Sequence, residues 1–179
     1  MKILGLSLKG LYKITLTPST DLRGTFLKIW EKSVWENAGL PTQWSETYIT
    51  KSHQSVLRGM HYQEPPAEHE KMVMVLDGEI LDVALDIRRT SETYGKYISI
   101  TMSADKPTIL FLPKGLAHGF LVLSPSATVI YQTTSSYCRE KDNGILWNSF
   151  GFPWPVTNPI LSDRDQSHVS FEEFESTFF

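Results

Sequence analysis

The amino-acid sequence predicts a mostly β protein, an antiparallel barrel or jelly roll with a few short peripheral helices. Three observations predict it. Apolar and β-branched residues come in short stretches bounded by turn residues, sustained helical periods are scarce, and Leu81, Val83, Leu85 and Ile87 alternate with Asp82, Ala84 and Asp86. The chain has 179 residues, long enough to bury roughly two thirds of its unfolded surface in one core. We expect a single domain over residues 1–179.

Taken in order, strands are expected at residues 12–16, 25–30 and 47–51. Asp77-Gly78 then joins residues 72–76 and 80–87 as a hairpin, Asp-Gly supplying the positive φ that a tight turn needs. Further strands are expected at residues 97–102, 108–112, 119–123 and 128–134. Ser33 and Glu36 have the spacing of a capping box, so residues 33–38 read as a helix that Gly39 ends. The run Phe152-Pro153-Trp154-Pro155 excludes an interior strand there, and residues 170–176 read as a last helical turn or two.

Composition narrows the function. The 17 basic and 20 acidic residues are dispersed, with a net charge of -3, so no basic block is present to neutralise a nucleic-acid backbone. The first residues are too short and interrupted for a signal peptide, and no apolar run reaches the length of a membrane span. A cytoplasmic protein without nucleic-acid or membrane partners is expected. Cys138 is the single cysteine and has no partner for a disulfide or a zinc ribbon.

Of five histidines, His61 and His118 have the most suggestive surroundings. His61 follows Arg58-Gly59-Met60 and precedes Glu64-Pro65-Pro66, which places it at a strand end beside a cation. Pro113, Gly115 and His118 have the Pro-x-Gly-x-x-His spacing of a cupin barrel signature. The other cupin signature normally brings His-x-His to a metal, but His61-Tyr62-Gln63 has glutamine in the second place. No metal and no cofactor are therefore expected, although a metallocupin stays open as an alternative. Without a metal, a neutral imidazole deprotonates a carbon next to a ketone if a cation stabilises the enolate oxygen and an acid returns the proton. His61 as base, Lys71 as cation and Tyr131 as acid suit that chemistry, with a carboxylate on the other imidazole nitrogen.

At these residues the sequence resembles the dTDP-4-dehydrorhamnose 3,5-epimerase family. The matching segments include Asp21-Leu22-Arg23-Gly24, Val56-Leu57-Arg58-Gly59-Met60-His61-Tyr62-Gln63, Lys71-Met72-Val73, Asp82 to Arg88, Leu112 to Phe120, Tyr131-Gln132-Thr133-Thr134 and Leu161-Ser162-Asp163-Arg164-Asp165. The resemblance implies a dimeric, metal-free cupin that inverts C3, C5 or both in a 4-keto-6-deoxy sugar carried on a nucleoside diphosphate, in deoxysugar and cell-surface polysaccharide synthesis. It implies His61 as base, Asp165 as its supporting carboxylate, Lys71 as enolate stabiliser and Tyr131 as acid. It also implies Arg58 and Arg23 near the diphosphate, Arg23 from the partner subunit, and His118 in the pocket wall.

The chain departs from the family where the nucleobase is expected. Lys28 stands where Glu is usual, Glu46 and Tyr48 where Gln and Asn are usual, and Ser19 and Ser136 at two usually aromatic positions. A reversed donor and acceptor pattern suits cytosine rather than thymine. The carrier expected from Lys28 and Glu46 is CDP, with GDP as rival; alternatively these two residues pair with each other. A sugar-nucleotide 3,4-ketoisomerase and a non-enzymatic sugar-binding cupin remain as other classes.

Overall fold

The computed structural model describes residues 1–179. Two antiparallel sheets face each other. One has the order β1 (Lys2–Gly5), β2 (Tyr12–Thr15), β10 (Thr108–Leu112), β7 (Lys71–Asp77), β12 (Ser126–Thr133), β5 (Glu46–His53). The other runs β13 (Asp142–Gly144), β6 (Leu57–Gln63), β11 (Leu116–Val122), β8 (Glu79–Asp86), β9 (Tyr97–Ser103). The expected antiparallel β architecture of a cupin-type barrel is what forms.

Strand alternation explains why. Val73 and Val75 of β7, Ile80 and Ala84 of β8, and Val129 and Tyr131 of β12 point between the sheets. Met72 and Met74 point outward, into a cluster with Ile109, Phe111 and Trp35. Val83 and Leu85 point out of the second sheet, where Phe150, Trp154, Phe174 and Phe178 of the C-terminal segment cover them. Both faces of the central strands are thus buried, and β7 and β11 read as apolar runs.

The Asp77-Gly78 turn is a correction. β7 and β8 belong to different sheets and do not pair. Both edges of β7 are taken by β10 and β12, and both edges of β8 by β11 and β9. Gly78 does have φ of 78°, but the turn is a corner at which the chain changes sheets. It is also packed tightly, since a Cβ there would stand 2.1 Å from the Ser126 carbonyl oxygen. The alternation in β8 is likewise not an exposed polar face: Asp82 and Asp86 are buried, Asp82 against His118 and Asp86 against Arg88, Ser91 and Thr93.

Three other expectations change. The strand expected at residues 25–30 is shorter: β3 (Ser19–Asp21) and β4 (Gly24–Phe26) make an exposed hairpin, and Leu27, Ile29 and Trp30 leave it to pack near helix α1 (Lys32–Asn37). α1 forms, but it starts at Lys32 with Glu31 as N-cap and no side-chain cap, so Ser33 falls inside the helix, where its hydroxyl donates to Glu31 Oε1. Gly39 ends it with φ of 68°, the Leu40 amide bonding back to the Trp35 carbonyl. Of residues 170–176 only 171–173 form a turn and none is helical; the short helix of this region is α2 (Asp163–Gln166), begun by the Ser162 side chain accepting from the Asp165 amide. No helix is long and apolar enough to cross a membrane.

Candidate active site

At one end of the barrel the inward positions turn from apolar to polar, and a cavity of about 390 Å³ opens there. His61 and Lys71 line it, with Glu46, Tyr48, His69, Tyr137, Asp142 and Arg164. His61 was expected at a strand end but lies within β6, a strand given no bounds from the sequence, and its glycine shows how closely it packs. Gly59 has φ of 136°, and a Cβ on it would stand 2.5 Å from Gly119 Cα on β11. That approach sets His61 opposite His118 in the strand register, with a register shift just beyond.

Behind His61 lies Asp165, 104 residues later in the chain. His61 Nε2 is 2.5 Å from Asp165 Oδ1, and Asp165 is buried. Burial pushes the His61 imidazole below its ordinary value, and Asp165 offsets part of that. Burial alone raises the Asp165 carboxyl, but the His168 and His61 imidazoles and the Ser162 hydroxyl close to it hold it well below the carboxylate range. With Nε2–H assigned to the side facing Asp165, Nδ1 is the nitrogen left free to take a proton. His61, Asp165 and His168 bring three atoms of metal-ligating type within 4.8 Å of one another. The 2.5 Å His61 contact is a hydrogen bond, since two ligands of one tetrahedral zinc ion stand about 3.3 Å apart.

Lys71 is the first residue of β7 and is buried, which brings its ammonium down to about 8 despite the charges of Asp82 and Asp142. Tyr131 sits on β12, in the sheet opposite His61. Its hydroxyl is 3.4 Å from Thr50 Oγ1, and burial keeps its phenol protonated far above the usual value. Tyr48, its cross-strand partner, stacks on it with ring centroids 4.8 Å apart. Tyr131 is therefore largely covered by Tyr48.

The remaining expected residues divide. Glu46 lines the cavity and accepts from the Tyr137 amide through Oε1. His118 lies in a smaller adjoining space, its Nε2 2.8 Å from Asp82 Oδ2, where the carboxylate accepts. Arg58 donates through Nε to Ser52 Oγ of β5. Lys28 pairs with Glu31 and not with Glu46, so the expectation of a Lys28–Glu46 pair is corrected. Lys28 does not reach this chain's cavity either. Arg23 is paired with Asp21 on the exposed β3–β4 hairpin, beside Ser19 and away from His61.

Sequence reasoning missed two features. Gln63 is fully engaged: its amide nitrogen donates to the Ala67 carbonyl and its oxygen accepts from the Cys138 amide, which ties down the loops around the cavity. Arg164 and Asp142 pair at 2.8 Å on the rim. Only the position of Arg164 beside Asp165 hinted at the second.

The model of the family described as dTDP-4-dehydrorhamnose 3,5-epimerase matches residues 5–173. A Shigella flexneri protein of that description is 42% identical over 154 residues, covering 84% of this chain and 85% of that one. The solved structure of the Sulfolobus tokodaii dTDP-4-dehydrorhamnose 3,5-epimerase superposes with a TM-score of 0.93 at 33% identity, over 99% of this chain and 98% of the other. The Bacillus anthracis enzyme, solved with TDP and pyrophosphate bound, gives 0.91 at 33% identity over 94% and 98%. With its fold and nearly all of its length matched by isomerases of one description, this chain belongs to the dTDP-4-dehydrorhamnose 3,5-epimerase family.

Proposed function

We propose that the protein inverts C3, C5 or both in a nucleoside-diphosphate-linked 4-keto-6-deoxy sugar, with His61 as general base. The His61–Asp165 pair opening on a cavity that Lys71 also lines carries this reading. His61 Nδ1 takes the proton next to the ketone, and Asp165 stabilises the imidazolium. Lys71 stabilises the enolate oxygen, in surroundings that favour its attraction to a developing anion. Tyr131 returns a proton from the opposite sheet, so the base and the acid approach different faces of the sugar. The relatives, described as dTDP-4-dehydrorhamnose 3,5-epimerases, one of them solved with TDP bound, support dTDP as the carrier. The Glu46 carboxylate in the cavity favours a base with an exocyclic amine, and this keeps CDP and GDP as a second reading.

All 179 residues are read as one cytoplasmic catalytic unit that works as a homodimer. The exposed β3–β4 hairpin, with Leu22 and Phe26 uncovered and Arg23 at its turn, supports a partner contact and a role for Arg23 and Lys28 in the partner's site. Incubating the enzyme with a dTDP-linked 4-keto-6-deoxy sugar, and with its CDP and GDP counterparts, in heavy water tests the whole reading. Deuterium at C3 or C5 with inversion is expected. A shifted ketone indicates a ketoisomerase, and absence of deuterium indicates a binding protein.

A further inference from the structure

Asp165 stands between two imidazoles, and the chemistry above uses only one. His168 Nε2 is 3.5 Å from the same Oδ1 that His61 engages. The His168 side chain is 9% exposed, and its Nε2 is buried without a hydrogen-bond partner at ordinary geometry. The two rings meet edge to face, 5.6 Å between centroids at 77°. The seat for His168 is built by β13: a Cβ on Gly144 would stand 2.4 Å from His168 Nε2, so only glycine leaves the ring room. Next to it, the Leu146 amide bonds the Val169 carbonyl and holds the following backbone in place. A buried N–H without a partner is disfavoured. A shift of about half an ångström toward Asp165 gives it one.

We propose that His168 is a positioning residue for the epimerase reaction: its Nε2–H is a second donor to Asp165 Oδ1, holding that carboxylate against His61 and limiting the basicity it lends to His61. The proposal rests on the reading of His61 as base. A donor added to a carboxylate stabilises its charge and weakens its pull on other protons. With His168 present, Asp165 divides its charge between two rings. Without it, the charge falls on His61 alone and favours the imidazolium. The other charged or titratable groups facing His61 stay in place: Lys71 from β7, His118 from β11, Asp142 from β13, Arg164 from α2, and Glu46 and His69 across the cavity.

His168→Phe keeps ring volume and removes the donor, whereas His168→Gln restores an N–H near the place of Nε2. In the Phe variant the acidic limb of the pH profile for deuterium exchange should move up by about half a unit to one unit, with little change in KM. The Gln variant should return it toward wild type. Nitrogen NMR of the free protein should show the His61 titration midpoint moving the same way, with the Nε2–H tautomer kept in wild type and the Gln variant. Acidic limb and midpoint unchanged in the Phe variant overturn the proposal, as does a Gln variant that behaves like Phe. If the Phe variant does not fold, His168→Met makes the same comparison. The NMR titration needs no turnover, so a failure of His61 as base, seen as full exchange by His61→Ala, is read separately.

Discussion

Replacing Lys71 with methionine removes a buried cation while keeping the length of the side chain. Its ammonium falls from 10.5 to about 8 on folding, a gap of about 3 kcal/mol that disfavours the folded state whenever the group is charged. Because the folded value lies below the unfolded one, this penalty is complete below pH 8 and is relieved as pH rises toward 10.5. Lys71→Met should therefore be more stable than wild type at pH 7, by about 1–3 kcal/mol once relaxation is allowed. The difference should shrink between pH 8 and 10.5. The same variant loses the charge aimed at the enolate, and its exchange rate should fall about 10²–10³-fold, the loss found on removing one oxyanion donor. Denaturant unfolding at pH 7 and 10 gives the first quantity, and deuterium exchange into substrate gives the second. In wild type, exchange should decline as pH rises through about 8, where Lys71 loses its proton. A methionine variant that is less stable at pH 7, or that exchanges within tenfold of wild type, refutes this reasoning.

His61→Ala should abolish deuterium exchange at every centre, whereas Tyr131→Phe should allow exchange and impair net inversion, as read by NMR of the product. Glu46→Gln removes a carboxylate acceptor and should weaken CDP or GDP relative to dTDP by about tenfold in calorimetric titration; an unchanged ranking sinks the amine reading. Gly59→Ala forces a methyl against the β11 backbone at 2.5 Å and should cost about 3 kcal/mol or more in denaturant unfolding.

Alternation made most strands legible, because each strand in a barrel presents every second residue to one face. Alternation does not say what lies over each face: Asp82 and Asp86 are buried and are held by His118, Arg88, Ser91 and Thr93. Asp77-Gly78 was correctly a turn with positive φ, yet local turn chemistry does not say which sheet the chain enters next. The four-residue helix α2 is too short for a periodic signal, so the way Asp165 is presented was invisible. The Ser33–Glu36 spacing was present without its cap, because the helix begins at Lys32 and leaves Ser33 inside it.

Taken alone, the sequence determined the β class, the motif set around Arg58 to Gln63, and the candidate group of His61, Lys71, Tyr131 and Asp165. The β class and the motif follow from residue types at short spacing, whereas Asp165 was singled out only through the resemblance to the family. Only the tertiary structure decided that Asp165 Oδ1 meets His61 Nε2, that Tyr131 lies under Tyr48 on the opposite sheet, and that Lys28 turns to Glu31. It alone placed His168 beside the same carboxylate. Such contacts depend on sheet register and on the close approach of Gly59 to Gly119 and of Gly144 to His168, which join segments too far apart in the chain for any local pattern to record.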